Sequence, residues 1–502
     1  MAVAAARFRD CPVTGLKVHR PAELLFTANA VMGVLSLALA GLFALLQSLT
    51  RMPQVGLLGD KAYYLVLTGH GVFGLIYWML FFEVAAIIFV STMLLNARMW
   101  SPGLGWASFI LMAGAWVMSL WVILAGQADV LFTAYVPLIA HPVFYLAYLL
   151  LAIGVMLAII NYAATVVLAR AEGVLKGSLP LLTYGVGVAC ILGLLAIASG
   201  AIALFPAFLY AAGWLQVAEP VNYRIWFWGL GHTLQYVNVT AMVVSWYALA
   251  ALTIGASPLN ERFTRIAFIL YALVSFPVLG HHFIVDPTLS PTYKIVGATI
   301  LGFGLGVPSL MHGLAVVGGL EAQVRASGHT GLLGWIGKLP WRNPGMGALL
   351  TSLILFGIGG FFGTFLTTYQ LNLIGHNTTL VLGHFHGVVV GGTTMAFMGL
   401  AYILVPLVVQ RHLWSAWLAR WQPYVYGLGL LVLMFSMFWG GFAGLPRRTP
   451  DVTYGGLGLS SWTAPSTLLG IGAIIAVLGG IMFVLNIVLT LIAGKKRTTK
   501  VL

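Results

Sequence analysis

The chain has 502 residues, 61% of them hydrophobic and only 7% charged, with 24 basic against 11 acidic side chains and a net charge of +13. Soluble domains carry about 25% charged residues, so this composition excludes a water-soluble enzyme, a disordered chain, a collagen and a disulfide scaffold, and leaves a polytopic membrane protein. Two cysteines, Cys11 and Cys190, are too few for a cysteine-rich metal site.

Residues 1–21 are basic and polar, with no stretch resembling a signal peptide, and are read as a cytoplasmic segment. Twelve apolar runs follow, at roughly 22–49, 61–95, 103–127, 133–169, 180–210, 222–255, 264–285, 292–320, 345–371, 376–409, 422–443 and 465–493. Each is long enough to cross a hydrocarbon layer of about 30 Å as a helix, and continuous runs mean helices rather than the alternating strands of a barrel. The expected fold is therefore an all-α polytopic bundle of about twelve transmembrane helices, with 22–493 as one membrane domain and 494–502 as a basic cytoplasmic tail. With the N-terminus inside, 18 Lys and Arg residues fall on the cytoplasmic side and 6 outside. The basic excess thus reads as a topology signal with both termini cytoplasmic, and no nucleic-acid partner is implied.

Ionisable groups inside a membrane are costly and mark function. His70 in the second run, His232 in the sixth, His281 and His282 near the end of the seventh, and His384 and His386 in the tenth all fall at a similar depth in the outer part of the bilayer. A single membrane histidine can simply join two helices; six at one depth suit metal ligation, because imidazole is a common ligand of haem iron and copper. His281–His282 can bring two rings to one metal, with His232 completing a three-nitrogen copper site. His384 and His386 are about 200° apart around a helix, which suits two cofactors on opposite faces, with His70 as second axial ligand of one. Gln235 and Asn238 are buried amides that need partners. Glu83 is an intramembrane carboxyl near the cytoplasmic side, a proton entry point or a snorkelling end charge.

These motifs are YYLVLTGHGV, WFWGLGHTLQY, FPVLGHHFIVDPTLSPTYK, VPSLM, HNTTLVLGHFH and GLPRR, in chain order. Together they resemble the catalytic subunit I of the haem–copper oxidases, specifically the B-family, over nearly the whole chain. The resemblance implies two haems of unspecified type and one copper ion. His70 and His386 then ligate a low-spin haem, His384 a high-spin haem, and His232, His281 and His282 the copper. Arg447, Arg448 and His376 hold haem propionates, as bidentate guanidinium–carboxylate contacts favour for the arginines.

The pattern departs from oxygen-reducing relatives on the sixth span. They carry His-Pro-x-x-Tyr; this chain reads His232-Thr233-Leu234-Gln235-Tyr236, with Tyr236 at i+4 on the ligand's face. Along the inner proton line Tyr247 is kept, while Val243, His312 and Ala315 stand where a tyrosine and two threonines are expected, and Asn372 replaces an aspartate near the propionates. The altered motif resembles the B-family-derived nitric oxide reductases. Nitric oxide reduction to nitrous oxide is therefore the favoured activity, with Tyr236, Gln235 and Asn238 at the catalytic centre; oxygen reduction to water by a cytochrome c oxidase-type enzyme is the alternative. A histidine proton-relay transporter and a non-catalytic haem-handling protein remain as readings of the histidines alone.

Thr240, Tyr247, Thr299, His312 and Glu83 form the expected proton route. The chain carries no electron-entry motif of its own, which implies a small membrane-anchored partner with an outer domain, and cytochrome c, a cupredoxin or quinol as donor. The expected location is a bacterial or archaeal plasma membrane.

Overall fold

Inside a bilayer every backbone N–H and C=O must find its partner within the protein, and helices account for nearly all of the computed structural model, which describes residues 8–11, 15 and 17–497. The membrane helices are α1 (Arg20–Thr50), α2 (Asp60–Met93), α3 (Pro102–Leu124), α4 (Pro142–Ala171), α5 (Leu181–Ala211), α6 (Pro220–Ile254), α7 (Glu261–Val274), α8 (Pro291–Ala326), α9 (Pro344–Thr367), α10 (Thr379–Val408), α11 (Ala416–Phe442) and α12 (Thr463–Ala493). Eleven are long and apolar enough to span a membrane singly; α7 does so only together with Pro277–Phe283, from which it is bent by 55°. Pro277 has no N–H to donate into the preceding turn, which accounts for a break at this point. The break turns the His281–His282 pair in from the helix axis.

Two expectations shift. The fourth span begins at Pro142 rather than 133, and 133–141 is irregular. Pro137 and Pro142 disfavour helical geometry at the residues before them, and His141 caps α4 by accepting the Val143 N–H at 3.3 Å. The N-terminal segment contains a short antiparallel hairpin, β1 (Phe8–Asp10) and β2 (Lys17–His19), fastened to the bundle by Arg9–Glu23 at 2.7 Å. Of the 494–502 tail, residues 498–502 lie outside the described residues.

The innermost helices are α2, α6 and α10, and they carry four of the six histidines. The outer helices present apolar side chains such as Ile110, Leu124, Val167 and Ile300 outward, which suits lipid as solvent. Wide π-turns interrupt α2 at Val72–Tyr77 just after His70, and α10 at His386–Thr394. Such turns add a residue to the helical repeat and occur often at functional sites. Close helix approach is made by small residues: a methyl on Gly359 of α9 would stand 2.8 Å from the Gly387 Cα of α10. That contact seats α9 directly behind the two α10 histidines.

Candidate metal centre

Three histidines from two elements meet at one point. Ligand nitrogens of His232, His281 and His282 lie within 4.8 Å of one another. His282 Nε2 is 3.3 Å from His232 Nδ1, while His232 Nε2 is buried without a partner. Beyond that single contact, three imidazoles converging in an apolar interior leave lone pairs that an ion between them would satisfy, so the donor set fits a copper ion. Trp228, one turn before His232 on α6, stacks on the His282 ring with centroids 3.6 Å apart, and its indole N–H donates to the Tyr135 hydroxyl at 2.5 Å.

His70 of α2 and His386 of α10 face each other with ring centroids 6.2 Å apart and planes within 9°. That spacing admits one metal at about 2.0 Å from a nitrogen of each ring. His384 points to the other side of α10, toward α9, where a methyl on Gly363 would come within 2.6 Å of its Cε1. Glycine at 363 is what leaves room for this ring.

Four rings share one device. His70 Nδ1 contacts the Ala40 carbonyl at 3.1 Å, His281 Nδ1 that of Val278 at 2.9 Å, His384 Nδ1 that of Gly359 at 2.8 Å, and His386 Nδ1 that of Leu382 at 2.8 Å. A carbonyl accepts only, so each Nδ1 carries the proton and each Nε2 presents its lone pair. Fixing tautomer and orientation in this way is how metal-binding histidines are prepared.

At the outer end, Asn372 Nδ2 donates to the Leu366 carbonyl, which leaves its Oδ1 to accept from His376 Nδ1 at 2.8 Å. Arg447 donates to Asn377 through its backbone and side chain, at 3.0 and 3.3 Å. Burial, then the adjacent Arg448, pulls the Arg447 guanidinium down to about 10. Neither arginine has a carboxylate partner among the described residues. Two adjacent cations without an anion fit propionate carboxylates.

Tyr236 lies beside this histidine trio, its ring 5.0 Å from that of His232. Asn238 Nδ2 donates to Gln235 Oε1 at 3.0 Å, leaving the Gln235 amide N–H₂ group free of that contact. Toward the inner end, the Tyr247 hydroxyl meets His312 Nδ1 at 3.0 Å and Thr264 at 3.5 Å. The His312 ring stacks on Tyr271, whose hydroxyl contacts Ser309 at 2.9 Å and whose ring is 5.7 Å from Tyr236.

Tyr247 and His312 of the expected route are thus joined, whereas its other three members, Thr240, Thr299 and Glu83, are not in this line. Thr240 donates to its own helix at Tyr236 O, 2.6 Å away, and Thr299 donates to the Thr367 carbonyl of α9 at 2.8 Å. Glu83 stands apart from this line with both carboxyl oxygens unpartnered. Tyr271, Ser309 and Trp228 were not singled out from sequence: a tyrosine ten residues before a histidine pair follows no motif, and Ser309 was visible only as part of VPSLM.

Residues 25–475 match the family model described as cytochrome c and quinol oxidase polypeptide I. The chain is 30% identical over 432 residues to cytochrome c oxidase subunit 1 of Thermus thermophilus, covering 83% of this chain and 76% of that one. It is 22% identical over 489 residues to quinol oxidase subunit 1 of Bacillus spizizenii, covering 93% and 71%. A cryo-EM structure described as a heme-copper terminal oxidase dimer superposes with a TM-score of 0.90 at 26% identity, covering 95% of this chain and 85% of that one.

Proposed function

The chain belongs to the haem–copper oxidase subunit I family, and from that premise we propose that it reduces nitric oxide in a prokaryotic plasma membrane, in the manner of a B-family-derived nitric oxide reductase. Two molecules of nitric oxide, two electrons and two protons become nitrous oxide and water. Haems and copper, when bound, would supply the electron-transfer chemistry and the site where the diatomic binds. His70 and His386 would hold the low-spin haem, His384 the high-spin haem, and His232, His281 and His282 the copper. Arg447, Arg448 and His376 neutralise and orient the propionates.

The observation that carries this reading is the Asn238–Gln235 amide pair on the ligand-bearing helix. Asn238 holds the Gln235 carbonyl, which leaves the Gln235 N–H₂ as a free donor on the helix that carries His232; in this reading it donates to an oxygen that gains negative charge. A fixed donor in a water-poor site stabilises such charge without reorganising. A two-electron reaction needs no third redox group, so Tyr236 serves as a hydrogen-bond donor rather than an electron source. Tyr247 and His312, joined at 3.0 Å, are the inner proton carriers of this reading.

Oxygen reduction is the second reading. It is favoured by the Tyr236 ring at 5.0 Å from His232 and by relatives named cytochrome c oxidase and quinol oxidase. Electrons enter in either case through a membrane-anchored partner subunit, with cytochrome c, a cupredoxin or quinol as donor.

Anaerobic turnover with nitric oxide against aerobic turnover with oxygen, on purified enzyme with an artificial donor, separates the two. Nitrous oxide formation is expected to dominate. Rapid oxygen consumption with negligible nitrous oxide reverses the assignment. Under the proposal, Tyr236→Phe retains substantial nitric oxide turnover; under the alternative, oxygen turnover collapses.

A further inference from the structure

A cation that ends a membrane helix ordinarily reaches out to water or lipid headgroups. Arg51, the C-cap residue of α1, does the opposite. It is 5% exposed, one terminal nitrogen donates to the Pro446 carbonyl at 2.8 Å, and its Nε is buried without a hydrogen-bond partner. No carboxylate pairs with it among the described residues. Burying a guanidinium is costly unless an anion meets it. The C-terminal dipole of α1 favours a cation here, but an arginine turned to solvent would satisfy it equally, so the dipole does not account for the inward course.

The surroundings fix that course. The residues after Arg51 are tied to α12: Met52 packs against Gly470, where a methyl would overlap it, and Thr467 donates to Gln54 Oε1 at 3.0 Å. With the backbone held there, the side chain runs to the turn at 446–448. That turn is anchored in its own right to the start of α10, through the bridge between Thr378 and Pro446 and the Arg447 N–H, which donates to the Asn377 carbonyl at 3.0 Å. Arg51 thereby joins Arg447 and Arg448, the two cations that also lack a carboxylate. The Arg51 and Arg448 charges both act on the Tyr63 phenol. Tyr63 precedes His70 on α2 by seven residues, hence on the same face and roughly 10 Å nearer the outer end. Three cations without anions therefore gather at the outer end of the bundle, on the side of His70.

Each haem is a dicarboxylate, so a tier with a pair of haems presents more propionates than Arg447 and Arg448 can each meet singly. We propose that Arg51 is a further propionate-binding cation, assigned to the haem of the His70–His386 pair, and that it sets the retention and the reduction potential of that haem. The assignment rests on haems at the histidine tier and holds for either diatomic. A guanidinium offers a carboxylate a planar fork of donors, and the orphaned Nε is a donor still open for one. Its charge would act on the iron as well. Reduction lowers the positive charge of a haem by one electron, so a buried cation nearby favours the reduced form and raises the potential.

The test uses the purified enzyme as native, Arg51→Gln, Arg51→Lys and Thr467→Val, the last cutting the Gln54 contact without touching the charge. Redox titrations with and without carbon monoxide read the low-spin and high-spin haems separately. Arg51→Gln lowers the midpoint potential of the low-spin haem and leaves that of the high-spin haem in place. It also speeds low-spin haem loss in detergent by roughly ten-fold or more, the scale of one hydrogen bond to a charged group. Arg51→Lys keeps most of the potential and loses haem at an intermediate rate, and Thr467→Val keeps the native potential. Native low-spin potential and haem retention in Arg51→Gln overturn the proposal. So does a loss of thermal stability with no shift in potential, which marks a plain tie between two loops, and so does a shift that Thr467→Val reproduces. A shift confined to the high-spin haem, or equal in both, overturns the assignment to the His70–His386 pair. Should Arg51→Gln fail to assemble, Arg51→Lys decides, and haem loss at the native rate there overturns the proposal. A native enzyme that lacks the low-spin haem overturns instead the reading on which the proposal rests.

Discussion

The histidine tier proposed to hold the metals and the inner half proposed to carry protons are built on opposite principles. In the metal tier, four rings are each held by a backbone carbonyl, from Ala40, Val278, Gly359 and Leu382. Backbone positions are set by the helices, so the ring positions tolerate change in the surrounding side chains. In the inner half every link is side chain to side chain: Tyr247 to His312, His312 to Tyr271, Tyr271 to Ser309. Such a line can be rerouted by single substitutions. Val243 and Ala315 have removed two of its expected members, and Tyr271, from a different helix, stands in the gap.

The largest expected effect breaks the metal tier. His384→Ala removes the high-spin haem ligand and abolishes turnover, with the carbon monoxide-binding haem signal lost and the other haem retained. Gly363→Ala is the milder form of the same break. A methyl there meets the imidazole at 2.6 Å from Cε1, so the ring must tilt off the Gly359 carbonyl. Loss of such outer support costs roughly 10- to 100-fold in affinity or activity, read as haem content and turnover together. An Ala variant with native spectra and rate would show that the ring does not depend on that seat.

The inner half yields a smaller effect. Tyr247→Phe and Tyr271→Phe each remove one hydroxyl and no ring, so packing and the stack on His312 persist. Each slows turnover several-fold, and the double variant is no slower than the worse single one if both act in one line. Rates that multiply instead would place Tyr271 on a separate route.

The sequence makes the metal tier legible and the inner half only partly so, for the same reason. Histidines inside a membrane have few uses, and six at one depth declare a centre without any knowledge of the side chains around them. The span count is legible because hydrocarbon thickness sets helix length; the bend at Pro277 and the late start of α4 are not, because apolar composition continues through both. Thr240 and Thr299 are plausible route members by residue type, yet a membrane threonine is satisfied as well by a carbonyl one turn back, or by one on a neighbouring helix, as by a proton file. Tyr271 carries no motif, and only the packing of α7 against α8 brings it to Ser309. A line made of side-chain pairs from three helices is a tertiary fact, whereas a ligand is a property of one residue.

The smallest effect lies at the outer edge of the metal tier, where the segment after His281–His282 is tied down. Arg224 of α6 pairs with Asp286 at 2.9 Å, Thr288 donates to the same carboxylate at 2.7 Å through its hydroxyl, and Lys294 donates to the Asp286 carbonyl. Burial pushes the Asp286 carboxyl up, but the Thr288 hydrogen bonds and the Arg224 and Lys294 charges outweigh it and hold the group below its ordinary value of 3.8. A carboxyl lowered in the folded state contributes stability above its unfolded value and loses it as pH falls through the folded one. The tie is therefore fully present from about pH 5 upward, and copper retention is flat across the neutral range. Asp286→Asn keeps an oxygen for the Thr288 contacts but removes the charge and sets an amide N–H₂ against Arg224, so that ion pair is lost. It is expected to lower copper retention slightly at neutral pH and to abolish the acid-dependent loss, read as copper content after incubation across pH. An unchanged acid profile in the variant would assign that loss to other carboxyls and leave the segment held by Lys294 and the α6 packing.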